Sequence, residues 1–286
     1  MPTQISTAVI TGAGGGLGRA LALQRAARGA RLLLADVDRA RCEESACLAE
    51  QAGGQATALV VDVSDAEQVE HMAQTAERVL GRIDLVVNNA GVAAGGLVGR
   101  VSLDDWRWIV NINLWGVIHG CHAFVPRLVE QGGGAILNVA SLAGIACAPR
   151  MASYNVTKAG VIALSETLCA ELTGDNVRVT VLCPAFFKTN LLETMRVTDS
   201  EIRSLAEAAF ANSTMSAAEV AAAALRAVAR GRLYCLPMRE GRIVWRLKRL
   251  VPERFARLIA NRRLQRMAEQ RAVTQQAEDP SRAPSR

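Results

Sequence analysis

Tyr154 and Lys158 stand four positions apart in "ASYNVTKAG", residues 152–160, and Tyr154 is one of only two tyrosines in the chain. On a helix, positions i and i+4 share a face, so a phenol and an ammonium at this spacing can act on one small volume. A free tyrosine titrates at about 10, too high for a good base at neutral pH. A positive charge nearby stabilises the tyrosinate and lowers that value, which would make the pair a device for taking or giving a hydroxyl proton. The spacing alone decides nothing, because a tyrosine and a lysine often share a solvated helix face. Such chemistry also needs a polarising group, a pocket and a partner for the other half of the reaction.

Two further stretches supply candidates. Ser141 ends the apolar run "GAILNVAS" (134–141), at the strand end where active sites of open parallel sheets lie, and its hydroxyl could hydrogen-bond a substrate oxygen. The glycine-rich "TGAGGGLG" (11–18) joins an apolar β-branched run to a helix-period segment. Glycines there allow a tight turn and let a dinucleotide pyrophosphate approach the backbone at the positive end of the helix. Asp36 follows about 20 residues later, at the end of the next apolar run, where a carboxylate can accept from an adenosine ribose. A carboxylate there repels a 2′-phosphate, which favours NAD over NADP, although Arg19 and Arg39 are near enough to keep NADP open.

The elements that would position these residues are legible from periodicity. The runs 7–12, 30–36, 56–63, 83–91, 134–141 and 177–184 read as buried strands, with a short seventh at 231–237. Between them lie segments with apolar positions at i, i+3 and i+4; one starts at Ser64-Asp65 and closes at Gly81. This alternation predicts an α/β fold, a doubly wound parallel sheet of seven strands with helices on both faces. No repeat or linker interrupts residues 1–238, which are expected to form one domain. Residues 239–271 read as a basic extension of two short amphipathic helices broken near Pro252, and 272–286 as a disordered tail.

The motifs together resemble the short-chain dehydrogenases/reductases, a Rossmann-type family. "TGAGGGLG" looks like its TGxxxGxG motif, "NNAG" (88–91) like the motif after its fourth strand, and "DV" (62–63) like its adenine-contacting pair. The likeness runs on through "VNINLWG", "NVAS" and "YNVTK" to "CPAFFKT", over roughly residues 5–238. It implies Tyr154 as general acid/base, with Lys158 tuning it and binding the nicotinamide ribose, Ser141 stabilising charge, and Asn113 holding a relay water. For the cofactor it implies Thr11, Gly12, Gly14, Gly16, Leu17, Gly18, Asp36, Asp62, Val63, Asn89, Ala90, Gly91, Tyr154, Lys158, Pro184 and Thr189. One departure is visible: Ala185 follows Pro184 where the family has glycine. By the same analogy the segment after the sixth strand folds over the substrate. Phe186, Leu191 and Met195, with Ala143 and Cys147, would give it an apolar lining suited to a hydrophobic secondary alcohol or ketone.

The competing reading is a dinucleotide-binding redox regulator without catalysis, but such relatives often lack the tyrosine or lysine that this chain keeps. His71, His119 and His122 have no acidic partners at metal spacing, and no metal site is expected. Seven scattered cysteines without CxxC spacing suggest a reducing compartment, and with no signal or membrane-spanning run the expectation is a cytoplasmic protein. The net charge of +6 arises at the C-terminal end: residues 239–286 carry net +8 and residues 1–238 net −2. That distribution argues against a nucleic-acid partner; the extension either packs on a subunit or touches an anionic membrane surface. Subunits are expected to associate as a dimer or tetramer through helices near 104–130 and 152–173.

Overall fold

The computed structural model describes residues 5–198 and 200–261. Seven strands form one parallel sheet: β1 (Thr7–Thr11), β2 (Arg31–Asp36), β3 (Gln55–Val60), β4 (Leu85–Asn88), β6 (Gly134–Val139), β7 (Val177–Leu182) and β9 (Tyr234–Cys235), ordered β3-β2-β1-β4-β6-β7-β9. All pairings are parallel, as with Val9 opposite Leu33 on one side and Val86 on the other. β1 and β4 are buried along their whole length, which is why they read as unbroken apolar runs. A separate two-residue pairing joins β5 (Ala94–Gly95) to β8 (Arg196–Val197).

The helices are α1 (Gly16–Ala26), α2 (Arg39–Gln51), α3 (Ala66–Leu80), α4 (Leu103–Val110), α5 (Gly116–Glu130), α6 (Leu142–Ala146), α7 (Ala152–Glu171), α8 (Ser200–Ala211), α9 (Ala217–Ala229) and α10 (Arg239–Leu250). Their ends follow local chemistry. Asp65 caps α3 by accepting from the N–H groups of Glu67 and Gln68, and Gly81 closes it at φ 70°. Ser216 and Glu219 form a reciprocal capping box at α9. α1 differs: its N-cap is Gly15, which offers no side-chain cap. Behind the sheet, the Leu17, Leu21 and Ala22 side of α1 and the Val220, Ala221 and Ala224 side of α9 join the main core with Ile10, Leu34 and Leu137.

The chain divides into two compact units, Met1–Arg242 and Ile243–Arg286. Within the second, Val251 interrupts the helix and Pro252 opens another over 252–261, where its missing N–H is not needed. Ile243, Leu247 and Leu250 repeat at helical spacing, and the Arg249 guanidinium lies 5.2 Å from the Trp245 ring centre. The tail assigned to 272–286, and the extension beyond 261, lie outside the described residues. No helix among the described residues is long and apolar enough to cross a membrane.

Candidate active site

In this strand order the chain reverses direction across the sheet between β1 and β4, which opens a crevice at the carboxyl ends of the strands. The glycine loop follows β1 into that crevice and is braced by the segment after β4. The Thr11 hydroxyl donates to Val87 O and accepts from the N–H groups of Asn89 and Ala90 at 3.0 and 3.2 Å. The Asn89 amide donates to the carbonyls of Thr11 and Gly12 at 2.9 and 3.0 Å. These bonds hold two loops from distant sequence as one surface.

The loop fits a pyrophosphate in three ways. Gly12 and Gly16 sit at φ 63° and 50°, where a side chain would be strained. A Cβ on Gly18 would lie 2.1 Å from Gly12 O, so only glycine lets the helix start so close to the loop. The uncapped first turn of α1 leaves N–H groups for an anion. Gly18→Ala is therefore expected to lower the melting temperature by about 5–10 °C, an overpacking cost of roughly 2–3 kcal/mol that differential scanning fluorimetry would register.

Asp36 ends β2, and its carboxylate accepts from the N–H groups of Gly14 (2.8 Å) and Asp38 (3.0 Å). Asp62 accepts from the backbone and hydroxyl of Ser64, while Val63 packs under Gly116 and its carbonyl faces His119 Nδ1 at 3.0 Å. Thr189 stands over the glycine loop: a Cβ on Gly16 would meet its Oγ1 at 2.6 Å. Pro184 O accepts from Leu142 N, tying the end of β7 to α6, and Ala185 has no positive φ, so its added methyl brings no backbone strain. Arg19 is engaged by Gly14 O, Ser45 and Glu44, and Arg39 by Glu43. The arginine that shares a contact point with Asp36 is instead Arg41, which the sequence reading did not single out.

The four reactive candidates converge beside this surface. α7 carries Tyr154 and Lys158 on one buried face, and α6 lies directly against it because Gly144 has no side chain: a Cβ there would be 2.5 Å from the Lys158 carbonyl carbon. That contact sets Ser141, the N-cap of α6, within hydrogen-bonding reach of the Tyr154 hydroxyl. Lys158 Nζ donates to Val139 O at 2.9 Å and lies 5.8 Å from the Tyr154 ring centre. Asn113 is wholly buried in a π-helical turn, Asn111–Trp115, between α4 and α5. Its Oδ1 accepts from Val92 N and its Nδ2 donates to Val92 O, both at 2.8 Å. A Cβ on Gly91 would sit 3.2 Å from Asn113 Oδ1 and 3.5 Å from Lys158 Nζ, so a glycine separates the two polar groups.

Burial dominates the electrostatics. It pushes the Tyr154 phenol up to about 12, with the Ser141 hydrogen bond opposing, and pulls the Lys158 ammonium down to about 8. The expected lowering of the tyrosine is thus not seen in the protein alone. Both shifts arise from taking charge out of water; a positive charge added in the crevice would bring the tyrosine down and depress the lysine further.

Tyr154 faces an apolar cluster with Ala93, Ala94, Ile109, Met195 and Ile202, against which Val92, Trp108, Ala143, Met151 and Leu191 pack. Of the expected substrate residues, Ala143, Leu191 and Met195 are there. Phe186 is half exposed and stacks edge-on with Phe210, and Cys147 is exposed at φ 53°, so neither joins the cluster. The 92–94 segment and Trp108 were missed; their apolar character is ordinary, and only the β5·β8 pairing brings the covering segment onto them. Arg196 fastens that cover, with its guanidinium 3.9 Å from the Trp108 ring centre and 3.0 Å from Asp105. Among the described residues no cluster of acidic, histidine or cysteine side chains could hold a metal ion.

Comparison with known proteins agrees with this architecture. A family model described as short chain dehydrogenase matches residues 6–200. The chain is 35% identical over 185 residues to the 3-oxoacyl-[acyl-carrier-protein] reductase FabG of Thermotoga maritima, covering 65% of this chain and 75% of that protein. It is 34% identical over 263 residues to 1-deoxy-11-beta-hydroxypentalenate dehydrogenase of Streptomyces exfoliatus, covering 88% and 93%. Some longer relatives are matched over 31% of their own length. The crystal structure of a short chain dehydrogenase/reductase from Burkholderia phymatum in complex with NAD superposes with a TM-score of 0.82 at 34% identity, covering 87% of this chain and 94% of that one. With a glycine loop, a switch-point crevice and a family match running from β1 to the start of α8, the chain belongs to the short-chain dehydrogenases/reductases, oxidoreductases of CH–OH and keto groups built on an NAD(P)-binding fold.

Proposed function

We propose that this enzyme interconverts a hydrophobic secondary alcohol and its ketone, with NAD as the preferred cofactor and Ser141, Tyr154, Lys158 and Asn113 as its working residues. The observation that carries the reading is the apolar cluster of Ala93, Ala94, Ile109, Met195 and Ile202 around the Tyr154 ring. When bound, the nicotinamide supplies the hydride donor or acceptor. Thr11, Gly12, Gly14, Gly16, Leu17, Gly18, Asn89, Ala90 and Gly91 would cradle the dinucleotide, with Asp36 at the adenosine ribose, Asp62 and Val63 toward the adenine, and Pro184 and Thr189 toward the nicotinamide. The Tyr154 hydroxyl gives its proton to the carbonyl oxygen in reduction and takes it back in oxidation. Ser141 donates to the same oxygen, where charge develops. Lys158, held by Val139 O, keeps a positive charge beside the phenol and reaches toward the nicotinamide ribose, while Asn113 anchors the relay to solvent.

The regulator alternative is not favoured, since the relatives are described as reductases and dehydrogenases. The name of the Streptomyces relative, a dehydrogenase of a hydroxypentalenate, is in keeping with a secondary alcohol on an apolar skeleton. Exposed Leu103, Trp115 and Val156, on or beside α4, α5 and α7, support self-association through those helices. The test is a substrate series at saturating NADH. kcat/KM is expected to rise about fourfold for each buried methylene until the pocket is filled. Turnover of small polyols, with none of lipophilic ketones, would overturn the reading.

A further inference from the structure

Arg41 and Glu193 are 152 residues apart and meet across the adenosine end of the crevice, with Arg41 Nη1 donating to Glu193 Oε2 at 2.7 Å. Arg41 lies in the first turn of α2, and its stem touches the point that Asp36 touches. A Cβ on Gly14 would be 2.9 Å from both Arg41 Cβ and Asp36 Oδ2. An arginine rooted beside the ribose-binding carboxylate is placed to meet a 2′-phosphate, whose geometry its planar fork matches. Here that fork is already engaged. Besides Glu193, Asp38 stands 3.4 Å from Arg41 Nε. Glu193 is itself oriented, because the Asn190 amide donates to its other oxygen at 2.7 Å. Each partner favours the other's charge, raising the arginine and lowering the carboxyl.

Both side chains are about half exposed, so the pair does little for stability and its removal leaves the fold intact. Its position, not its strength, is informative. It joins the cofactor-specificity corner to the segment that covers the substrate, next to Thr189 and Asn190 above the glycine loop.

We infer that Glu193 is a cofactor-specificity residue: by holding Arg41 it withholds that guanidinium from the 2′-phosphate of NADP, adding to the repulsion exerted by Asp36. The inference rests on the NAD preference proposed above. It makes selection depend on two carboxylates from opposite sides of the crevice, one repelling the phosphate and one occupying the cation that would attract it.

The experiment is fluorescence titration of the full-length protein with NADH and NADPH at one fixed, low salt concentration. Glu193→Gln is expected to tighten NADPH about tenfold, roughly one charge-assisted hydrogen bond, and to change NADH by less than about threefold. Arg41→Met in the Glu193→Gln background is expected to abolish the gain, and Arg41→Met alone to change NADPH binding far less. Equal shifts for the two cofactors would make Glu193 a lid fastening and overturn the inference, as would no shift. A wild type that binds NADPH as tightly as NADH would overturn the Asp36 reading, and this one with it. A wild type that prefers NADH, with an unchanged ratio in Glu193→Gln, would overturn this one alone.

Discussion

Tyr154→Phe is expected to reduce kcat by about 10²–10⁴-fold in both directions while leaving NADH affinity within about twofold of wild type. The phenyl ring still fills its place in the apolar cluster, so the change isolates the proton from the packing. Losing the hydroxyl costs the Ser141 hydrogen bond, but Ser141 also accepts from Ala143 N at 3.1 Å and stays oriented as the cap of α6. Steady-state rates on any ketone found in the substrate series, with cofactor titration alongside, separate the two effects. Residual activity within tenfold of wild type would mean that another group handles the proton. A parallel loss of cofactor binding would mean that the substitution acted through the crevice.

Lys158→Met should separate stability from activity. Burial lowers the lysine from 10.5 to about 8, so at neutral pH the folded chain carries a buried ammonium at a cost on the order of 3 kcal/mol. Methionine removes that cost and forfeits the hydrogen bond to Val139 O, leaving a net gain of about 2 kcal/mol, or roughly 4–8 °C in melting temperature at pH 7. Between about 8 and 10.5 the unfolded lysine holds a proton that the folded one has released. This group therefore makes wild-type stability rise with pH across that window, and the advantage of the variant shrinks as pH rises. Tyr154 has the opposite sign but acts only above about 10. The buried Cys42, Cys121, Cys183 and Cys235, raised by burial from 9.0, lower the stability of both proteins as pH passes that value, so the difference between variant and wild type at pH 7 and 9.5 is what reads the lysine. Catalysis is expected to fall by at least about 10²-fold, because the charge that favours tyrosinate is gone. A melting temperature that falls at pH 7 would show that the lysine stabilises the fold.

Much of the framework was readable from local pattern. β-branched runs gave the strands to within three residues at each end, since a sheet buried on both faces leaves no polar alternation to confuse them. Asp65 and Gly81 marked α3 because capping chemistry acts over three or four residues. What escaped was made by contacts between distant segments. Arg41 looked like one more helix arginine until Glu193 faced it, and Val92 and Trp108 became pocket residues only under Met195 and Arg196. The direction of the Tyr154 shift was also illegible, because a neighbouring lysine can be read from sequence and the depth of burial cannot.

The π-helical turn at Asn111–Trp115 packs one more residue into its turn than an α-helix would. Deleting a single residue there would restore regular winding and leave the helix on either side nearly in place, shifting the residues of the turn itself. Asn113 could not then keep both its bonds to Val92. Insertions and deletions are usually tolerated where chain is exposed and damaging where it is packed, but here the length of a continuous helix is itself part of the reactive geometry. A shortened helix would be the better-formed helix and the poorer enzyme.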